Sequence, residues 1–254
     1  MAFLAWNVRG LNKDARIKEV KTLLAAKRIE IFGLNETKIK KQRQDEVREK
    51  FGGNWEIHTN VDEVQDPNET ETGNSIWLGW ENSIWEGEII SKSKQHIHCK
   101  LRNLGGLKIY FTTIYGKNRK AVRELLWDKI REIKVNMDSL PWIISGDFNE
   151  IRYQTEREGQ GDDEDDSRKF NELIDNLDLI EMGTTGGDFT WTNCSNRGNL
   201  VRSKIDRTGT FTNEEWKMKW PVTIVEFYKG GTSDHVAQLI KIGREGKQKA
   251  FQSF

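Results

Sequence analysis

Residues 141–149 have the sequence PWIISGDFN, a short apolar run that turns polar at its end. The run Trp142–Ile144 predicts a buried strand. Gly146 lets the chain bend tightly after the strand, and Asp147 and Asn149, two positions apart, can point to the same side. Such a pair can hold and deprotonate a water molecule. Taken alone, the string is explained equally well as a strand-ending turn.

Strand patterns dominate the chain on both sides of this segment. The pattern predicts strands at 2–8 and 29–36, alternating strands over about 55–116, and further strands near 188–193, 202–208, 222–227 and 235–242. Predicted helices lie after Asn12, which is expected to cap the first of them, and at 38–50, 119–136, 167–178 and 212–217. Because strands and helices do not alternate one to one, a doubly wound sheet and an eight-stranded α/β barrel are disfavoured. The order favours an α/β fold with two mixed sheets packed face to face and helices outside, a four-layer sandwich.

We expect one domain over residues 1–242 and a polar, basic linker or frayed tail over 243–254. The 254 residues include only 3 Pro, with 10 Trp and 11 Phe to fill a core, which argues against a disordered protein. No apolar run approaches the roughly 18 residues of a membrane span, so no membrane partner is expected. The start is too short and lacks the basic flank of a signal peptide, and two Cys fit a reducing compartment.

Charge composition gives no sign of a polyanionic partner. Forty basic and forty acidic residues cancel to a formal net charge of +0. Any nucleic-acid surface must therefore come from local segregation of charge.

Several polar side chains stand where predicted buried strands begin or end. These residues are Asn7, Glu36, Asp147, Asn149, Asp234 and His235. Each alone is explained as a turn former, but together, with a His among them, they predict a functional site on a rigid scaffold.

The string Ser233-Asp234-His235 places an imidazole beside a carboxylate. A His can carry a proton near neutral pH, and a second carboxylate would fix its tautomer. Asp206 is a candidate for that second carboxylate. A serine nucleophile is disfavoured because the chain has no Gly-x-Ser-x-Gly elbow.

A zinc site at His96-Ile97-His98-Cys99 is not expected. Period-two alternation predicts both His on the solvent side and Cys99 on the opposite face, and no matching Cys/His pair lies nearby. The acidic run 162–166 lacks the spacing of a calcium loop.

Six short strings occur in order along the chain: Trp6–Leu11, Asn35–Lys38, Ile114–Gly116, Gly146–Asn149, Ser203–Arg207 and Ser233–His235. In this order they resemble the endonuclease/exonuclease/phosphatase superfamily, and the resemblance covers about residues 1–242. Within it, the chain is most similar to the endonuclease domain of plant LINE-type (non-LTR) retrotransposons. That likeness rests on the strings Leu4–Leu11, Pro141–Glu150, Phe189–Asn193 and Asp206-Arg207 followed by Glu215-Trp216. The resemblance implies the four-layer fold and a fragment of a longer protein, N-terminal to a reverse transcriptase.

The resemblance also implies a Mg²⁺-dependent DNA endonuclease, with Mn²⁺ as a substitute. Glu36 is the expected main ligand, with Asn7 close by and Asp234 on a second or alternative site. The metal would stabilise the leaving 3′ oxygen. One strand of a DNA duplex would be nicked to leave 3′-hydroxyl and 5′-phosphate ends, and the hydroxyl would prime reverse transcription. This implies action in the nucleus after synthesis in the cytoplasm.

The remaining catalytic roles follow from the same resemblance. Asp147, oriented with help from Asn149, would position and deprotonate the attacking water. His235, held by Asp206, would donate to a non-bridging phosphate oxygen, and Tyr115 would add a second donor.

DNA contacts are expected from basic residues near this site and from positions that match the family. The set is Arg9, Lys38, Thr190, Arg202, Ser203, Lys204 and Arg207. The loop 193–202 resembles a hairpin that the family places in the minor groove, while Trp191 is expected in the core.

Three alternatives remain open from the sequence. An abasic-site repair endonuclease would use the same catalytic set but recognise an extruded sugar. A phosphatase for inositol lipids or sphingomyelin is disfavoured by the basic neighbours. A catalytically dead DNA-binding module is disfavoured by the complete polar set.

Overall fold

Two β-sheets form the centre of the computed structural model, which describes residues 1–60, 76–159, 164–194, 199–207 and 211–243. The first sheet has seven strands, in spatial order β11 (Thr184–Thr185), β15 (Thr223–Tyr228), β16 (Ala237–Ile242), β1 (Ala2–Asn7), β2 (Ile31–Asn35), β4 (Trp77–Glu81) and β3 (Trp55–Thr59). The second has six, in order β10 (Ile180–Glu181), β14 (Phe211–Thr212), β8 (Trp142–Asp147), β7 (Lys108–Tyr115), β6 (His96–Asn103) and β5 (Trp85–Ser93). A small ribbon joins β12 (Trp191–Thr192), β13 (Arg202–Ser203) and β9 (Arg157–Glu158).

Five helices flank the sheets in the described ranges. They are α1 (Asp14–Ala26), α2 (Gln44–Phe51), α3 (Lys120–Val135), α4 (Glu164–Asn176) and α5 (Glu214–Lys219). Helices α1 and α2 cover the outer face of the first sheet, and α3 and α4 cover that of the second.

A central apolar layer joins the two sheets. Phe3 of β1 packs edge-on against Phe111 of β7, with ring centroids 6.0 Å apart, and also against Trp85 and Trp216. This layer, with one more between each sheet and its helices, accounts for the apolar runs in the sequence. The predicted four-layer α/β sandwich is confirmed.

Two parallel strand pairs bring the polar ends of their strands to one edge. In β1 and β2, Asn7 pairs with Asn35, and in β7 and β8, Tyr115 pairs with Asp147. Gly146 has φ +130, and a Cβ there would lie 2.1 Å from the carbonyl oxygen of Ile114. Only glycine fits this close approach of β8 to β7, which sets the position of the carboxylate that follows.

Two local predictions were wrong. Asn12 does not cap α1, because Lys13 precedes the helix and the Asn12 Nδ2 donates to the Lys38 carbonyl at 2.8 Å. His96 and His98 do not face solvent; both are buried, and His98 bonds the hydroxyl of Thr112 at 2.8 Å. The predicted alternation of side chains along β6 was correct, but protein rather than solvent covers the face that carries His96 and His98.

Some expectations fall outside the described residues, namely part of the 193–202 hairpin (195–198), part of the acidic run (162–163) and the tail from 244. Within the described ranges, no helix is both long and apolar enough to cross a membrane.

Candidate active site

Three ionisable side chains from distant parts of the chain meet at the edge described above. Glu36 follows β2, Asp147 ends β8 and His235 precedes β16. One ligand atom from each lies within 4.8 Å of the others, and all three residues are buried. Among the described residues, this is the group of acidic and His side chains with metal-ligand spacing.

Glu36 is surrounded by hydrogen-bond donors. Its Oε1 accepts from the Asn7 Nδ2 at 3.0 Å and from the Tyr115 hydroxyl at 3.2 Å. Its Oε2 faces the Lys38 Nζ at 3.2 Å and the Arg9 Nη1 at 3.7 Å. Burial would raise the pKa of Glu36, but the Asn7 hydrogen bond and the two cations outweigh it and lower the pKa. Glu36 is therefore ionised.

Backbone strain is concentrated around this carboxylate. Arg9 (φ 49), Glu36 (φ 50), Lys38 (φ 55) and Asn149 (φ 50) all have left-handed conformations. Non-glycine residues in this region cluster at functional sites, where the surrounding structure maintains them. Here the strain turns the chain sharply just after β1, β2 and β8.

Asp147 is held by both of its oxygens. Its Oδ1 accepts from the backbone N–H of Asn149 at 2.9 Å, and its Oδ2 accepts from the Asn7 Nδ2 at 2.9 Å. The Asn149 side chain instead donates to the Gly116 carbonyl at 2.6 Å. Asn149 thus orients Asp147 through its main chain. Burial raises the pKa of Asp147 to about 7, and the nearby charge of Asp206 adds to the effect.

His235 and Asp206 form a buried pair. The His235 Nδ1 lies 2.8 Å from the Asp206 Oδ2 and 3.9 Å from the Asp147 Oδ2. Gln238 donates to the Asp206 carbonyl at 2.7 Å, which fixes the backbone at this position. Burial lowers the pKa of His235, but the charge and hydrogen bond of Asp206 outweigh it and raise the pKa to about 9.

The second ring nitrogen of His235 is available for chemistry. Its Nε2 is buried and has no hydrogen-bond partner among the described residues. In the protonated ring this atom is a donor that the protein itself does not use.

Asp234 lies outside the three-residue cluster. The Arg9 Nε donates to its Oδ1 at 3.1 Å and the Arg9 Nη2 lies 3.1 Å from its Oδ2. The Trp191 Nε1 also donates to Oδ2, at 3.1 Å. Trp191 is only partly buried and its ring centroid is 6.3 Å from that of His235, so it forms a wall of the site rather than part of the core. Sequence reasoning missed this role, although the tryptophan lies in a string that resembles the family.

Three residues predicted to contact DNA are buried. Thr190 accepts from the backbone N–H of Asp206 at 3.0 Å, and the Ser203 hydroxyl accepts from the Arg157 Nε at 2.9 Å. Arg207 is fully buried. Direct DNA contact is therefore wrong for Thr190, Ser203 and Arg207, because protein covers their side chains.

The other predicted DNA contacts differ in exposure. Lys204 is only 16% exposed and pairs with Glu156 at 3.6 Å and Glu181 at 3.4 Å. Arg202 is 48% exposed and pairs with Glu158 at 3.4 Å. Arg9 and Lys38, both 38% exposed, form a basic rim beside Glu36.

The donor set fits a small divalent cation. Hard oxygen ligands suit Mg²⁺ and Mn²⁺, and Glu36 is a buried, ionised carboxylate with Asp147 beside it. Two cations, Lys38 and Arg9, already lie within 4 Å of its Oε2, so this carboxylate attracts positive charge.

Comparisons with known proteins agree with this geometry. The model of the Endonuclease/Exonuclease/phosphatase family matches residues 4–235, a span that includes every residue of the cluster. A search of curated proteins found no match.

Solved structures share the fold at low sequence identity. The endonuclease domain of TRAS1, a telomere-specific non-LTR retrotransposon, is 16% identical with a TM-score of 0.69, covering 96% of this chain and 99% of that one. The 3′-5′ exonuclease NExo from Neisseria meningitidis is 16% identical with a TM-score of 0.69, covering 96% and 100%. The AP endonuclease LMAP from Leishmania major is 13% identical with a TM-score of 0.70, covering 96% and 87%.

The match over nearly the whole chain and the convergence of its polar strand ends lead to one assignment. The chain belongs to the endonuclease/exonuclease/phosphatase family and is a metal-dependent phosphodiester hydrolase.

Proposed function

We propose that the protein is a DNA endonuclease that nicks one strand of a duplex and leaves 3′-hydroxyl and 5′-phosphate ends. The observation that carries the proposal is the convergence of Glu36, Asp147 and His235 in one buried cluster beside a basic rim. The rim places two partly exposed cations, Arg9 and Lys38, beside the cluster, where a phosphate could contact them, although the formal net charge of the chain is +0.

Glu36 would hold a divalent ion, Mg²⁺ with Mn²⁺ as a substitute. Asn7 would join it as a ligand only after its amide turns, because its Nδ2 faces Glu36 and its Oδ1 accepts from the Arg9 backbone N–H at 3.2 Å. When bound, the ion supplies positive charge that stabilises the phosphate and the leaving 3′ oxygen. Lys38 would have to give way at the Oε2 of Glu36, and its flexible, partly exposed side chain allows this.

Asp147 would orient and deprotonate the attacking water. A general base is most effective with a pKa near the working pH, and burial, with the charge of Asp206, raises the pKa of Asp147 from its ordinary acidic value in that direction. Hydrogen bonds from Asn7 and the Asn149 backbone keep its two oxygens in fixed directions.

His235 would donate to a phosphate oxygen on which charge develops. Tyr115 would do the same once its hydroxyl, which donates to the Oε1 of Glu36 at 3.2 Å, turns toward the phosphate. Asp206 holds the His235 Nδ1, so the free Nε2 is the atom that donates. The pKa of Tyr115 is raised well above its ordinary value, by burial and by the nearby carboxylates, so its hydroxyl keeps its proton.

We further propose that the domain comes from a plant LINE-type retrotransposon and that its 3′-hydroxyl product primes reverse transcription. It would be joined to a reverse transcriptase in the full-length protein and act in the nucleus after synthesis in the cytoplasm. Support comes from the strings quoted above and from the likeness to the TRAS1 endonuclease domain.

Nicking of a supercoiled plasmid tests the proposal. We expect open circles with Mg²⁺ and none with EDTA, and DNA ligase should reseal the nicks because it requires 3′-hydroxyl and 5′-phosphate ends. Glu36→Gln should remove the activity. Glu86→Gln should not, because Glu86 is an exposed residue of β5 paired with Arg102.

The same preparation separates the alternatives. Cleavage of an abasic duplex far faster than of an intact A/T-rich duplex would favour a repair endonuclease. Phosphate or headgroup release without nicking would favour a phosphatase. DNA binding with no Mg²⁺-dependent hydrolysis would leave only a binding module.

A further inference from the structure

Arg9 spans two carboxylates of the site with one guanidinium group. Its Nε and Nη2 each lie 3.1 Å from an oxygen of Asp234, in the fork arrangement that arginine makes with a carboxylate. Its Nη1 lies 3.7 Å from the Oε2 of Glu36. The guanidinium thus puts a fixed positive charge between the two carboxylates.

Asp234 is fully engaged in this arrangement. Besides the two contacts with Arg9, its Oδ2 accepts from the Trp191 Nε1 at 3.1 Å. Asp234 also lies outside the group formed by Glu36, Asp147 and His235. An ion could bind to Asp234 only by displacing a planar donor that matches its geometry.

Two-metal hydrolases place a pair of cations about 3.5–4 Å apart, each held by carboxylates. Here the space between Glu36 and Asp234 already holds a cation that belongs to the chain. Arginine cannot lose its proton in a protein, so this charge is present at every working pH.

We propose that Arg9 takes the place of a second metal ion, so that the centre binds one divalent ion, at Glu36, rather than a pair. Asp234 is then a positioning residue for Arg9 and not a metal ligand. This inference rests on the metal dependence proposed above.

Lys38 provides a matched comparison. It also has a left-handed backbone, is also 38% exposed and also pairs with the Oε2 of Glu36, at 3.2 Å. Among the described carboxylates, however, it pairs with Glu36 and not with Asp234. Loss of Lys38 removes the same charge from Glu36 but leaves the guanidinium between Glu36 and Asp234.

The experiment counts bound Mn²⁺ by electron paramagnetic resonance, since the signal of the free ion falls as the protein binds it. We expect one ion for the wild type, for Lys38→Met and for the charge-conserving Arg9→Lys. We expect two for Arg9→Met, with the second bound more weakly. The double variant Arg9→Met/Asp234→Asn should return to one, because the second ion needs the Asp234 carboxylate.

Each other result has a defined meaning. Two ions on the wild type, on Lys38→Met, on Arg9→Lys or on the double variant, or fewer than two on Arg9→Met, would overturn the inference and leave the proposed function standing. No ion on the wild type would instead overturn the proposed metal dependence.

Circular dichroism establishes whether the variants fold. If Arg9→Met does not fold, the number of Mn²⁺ ions bound by Asp234→Asn tests the inference instead. Retention of one ion supports the inference, and loss of that ion would show that Asp234 is a ligand and overturn it.

Discussion

Arg207→Met should lower the unfolding free energy of the protein strongly but leave the DNA affinity of the folded variant unchanged. The side chain of Arg207 is fully buried, where its Nη1 lies 2.7 Å from the Oε1 of Glu181 and its Nη2 contacts Glu156. It also lies 5.6 Å from the ring centroid of Phe170 and 5.8 Å from that of Phe211. Methionine keeps the unbranched stem but removes the charge.

The magnitude follows from the partners left behind. Removing one member of a buried ion pair costs about 3–5 kcal/mol, because the other charge stays buried and uncompensated. Glu156 would keep Lys204 at 3.6 Å, and Glu181 would keep Lys204 at 3.4 Å and Arg152 at 2.9 Å. We therefore expect the lower end, about 3 kcal/mol of unfolding free energy, or about 6–12 °C in Tm for a chain of this size.

Urea unfolding followed by tryptophan fluorescence measures this loss, with Arg202→Met as the control. Arg202 is 48% exposed and pairs with Glu158 at 3.4 Å, so its loss should cost less than about 0.5 kcal/mol. Fluorescence anisotropy with a DNA duplex should show the opposite order, with only Arg202→Met weakening binding. Equal stability of the two variants, with DNA binding lost in folded Arg207→Met, would refute the buried-network reasoning.

Two further predictions concern the scaffold. Gly146→Ala should lower the unfolding free energy by about 3 kcal/mol in urea titrations, because the added Cβ would lie 2.1 Å from the Ile114 carbonyl oxygen. A Cβ at Gly53 would have no neighbour within 4 Å, so the control Gly53→Ala should change the unfolding free energy little. Equal effects of the two variants would contradict the close approach of β8 to β7. Burial lowers the pKa of His98 from 6.5 to about 3, so below pH 6.5 the unfolded chain takes up a proton that the folded protein does not, and the unfolding free energy decreases as the pH is lowered. The stability advantage of the wild type over His98→Gln should therefore shrink by about 2 kcal/mol from pH 7 to pH 5 in urea titrations. A difference that stays constant between these pH values would contradict this.

The fold could be predicted because many of its buried strands are visible in the sequence as short apolar runs that end in polar residues. The segment 141–149 shows both the buried strand and the carboxylate that follows it, and the structure places Asp147 beside Glu36 and His235 as expected. The Asp206–His235 pair was also predicted, because a carboxylate can fix the tautomer of a His and Asp206 was a candidate for that carboxylate.

Burial of polar residues could not be predicted in the same way. Arg207 directly follows Asp206, and an arginine near the site suggests a phosphate contact. Its partners Glu156 and Glu181, however, are 51 and 26 residues away in sequence. Likewise, alternation shows that His96 and His98 share a face of β6, but not that protein covers that face. Such outcomes depend on which elements pack together.

Single-turnover nicking of a supercoiled plasmid with Mg²⁺ tests the central claim most directly, namely that Glu36, Asp147 and His235 form one catalytic centre. We predict that Glu36→Gln, Asp147→Asn and His235→Gln each lose about a thousandfold or more in rate, while Glu86→Gln stays within about twofold of the wild type. Rates within about tenfold of the wild type for all three variants, with their folds intact, would contradict the account.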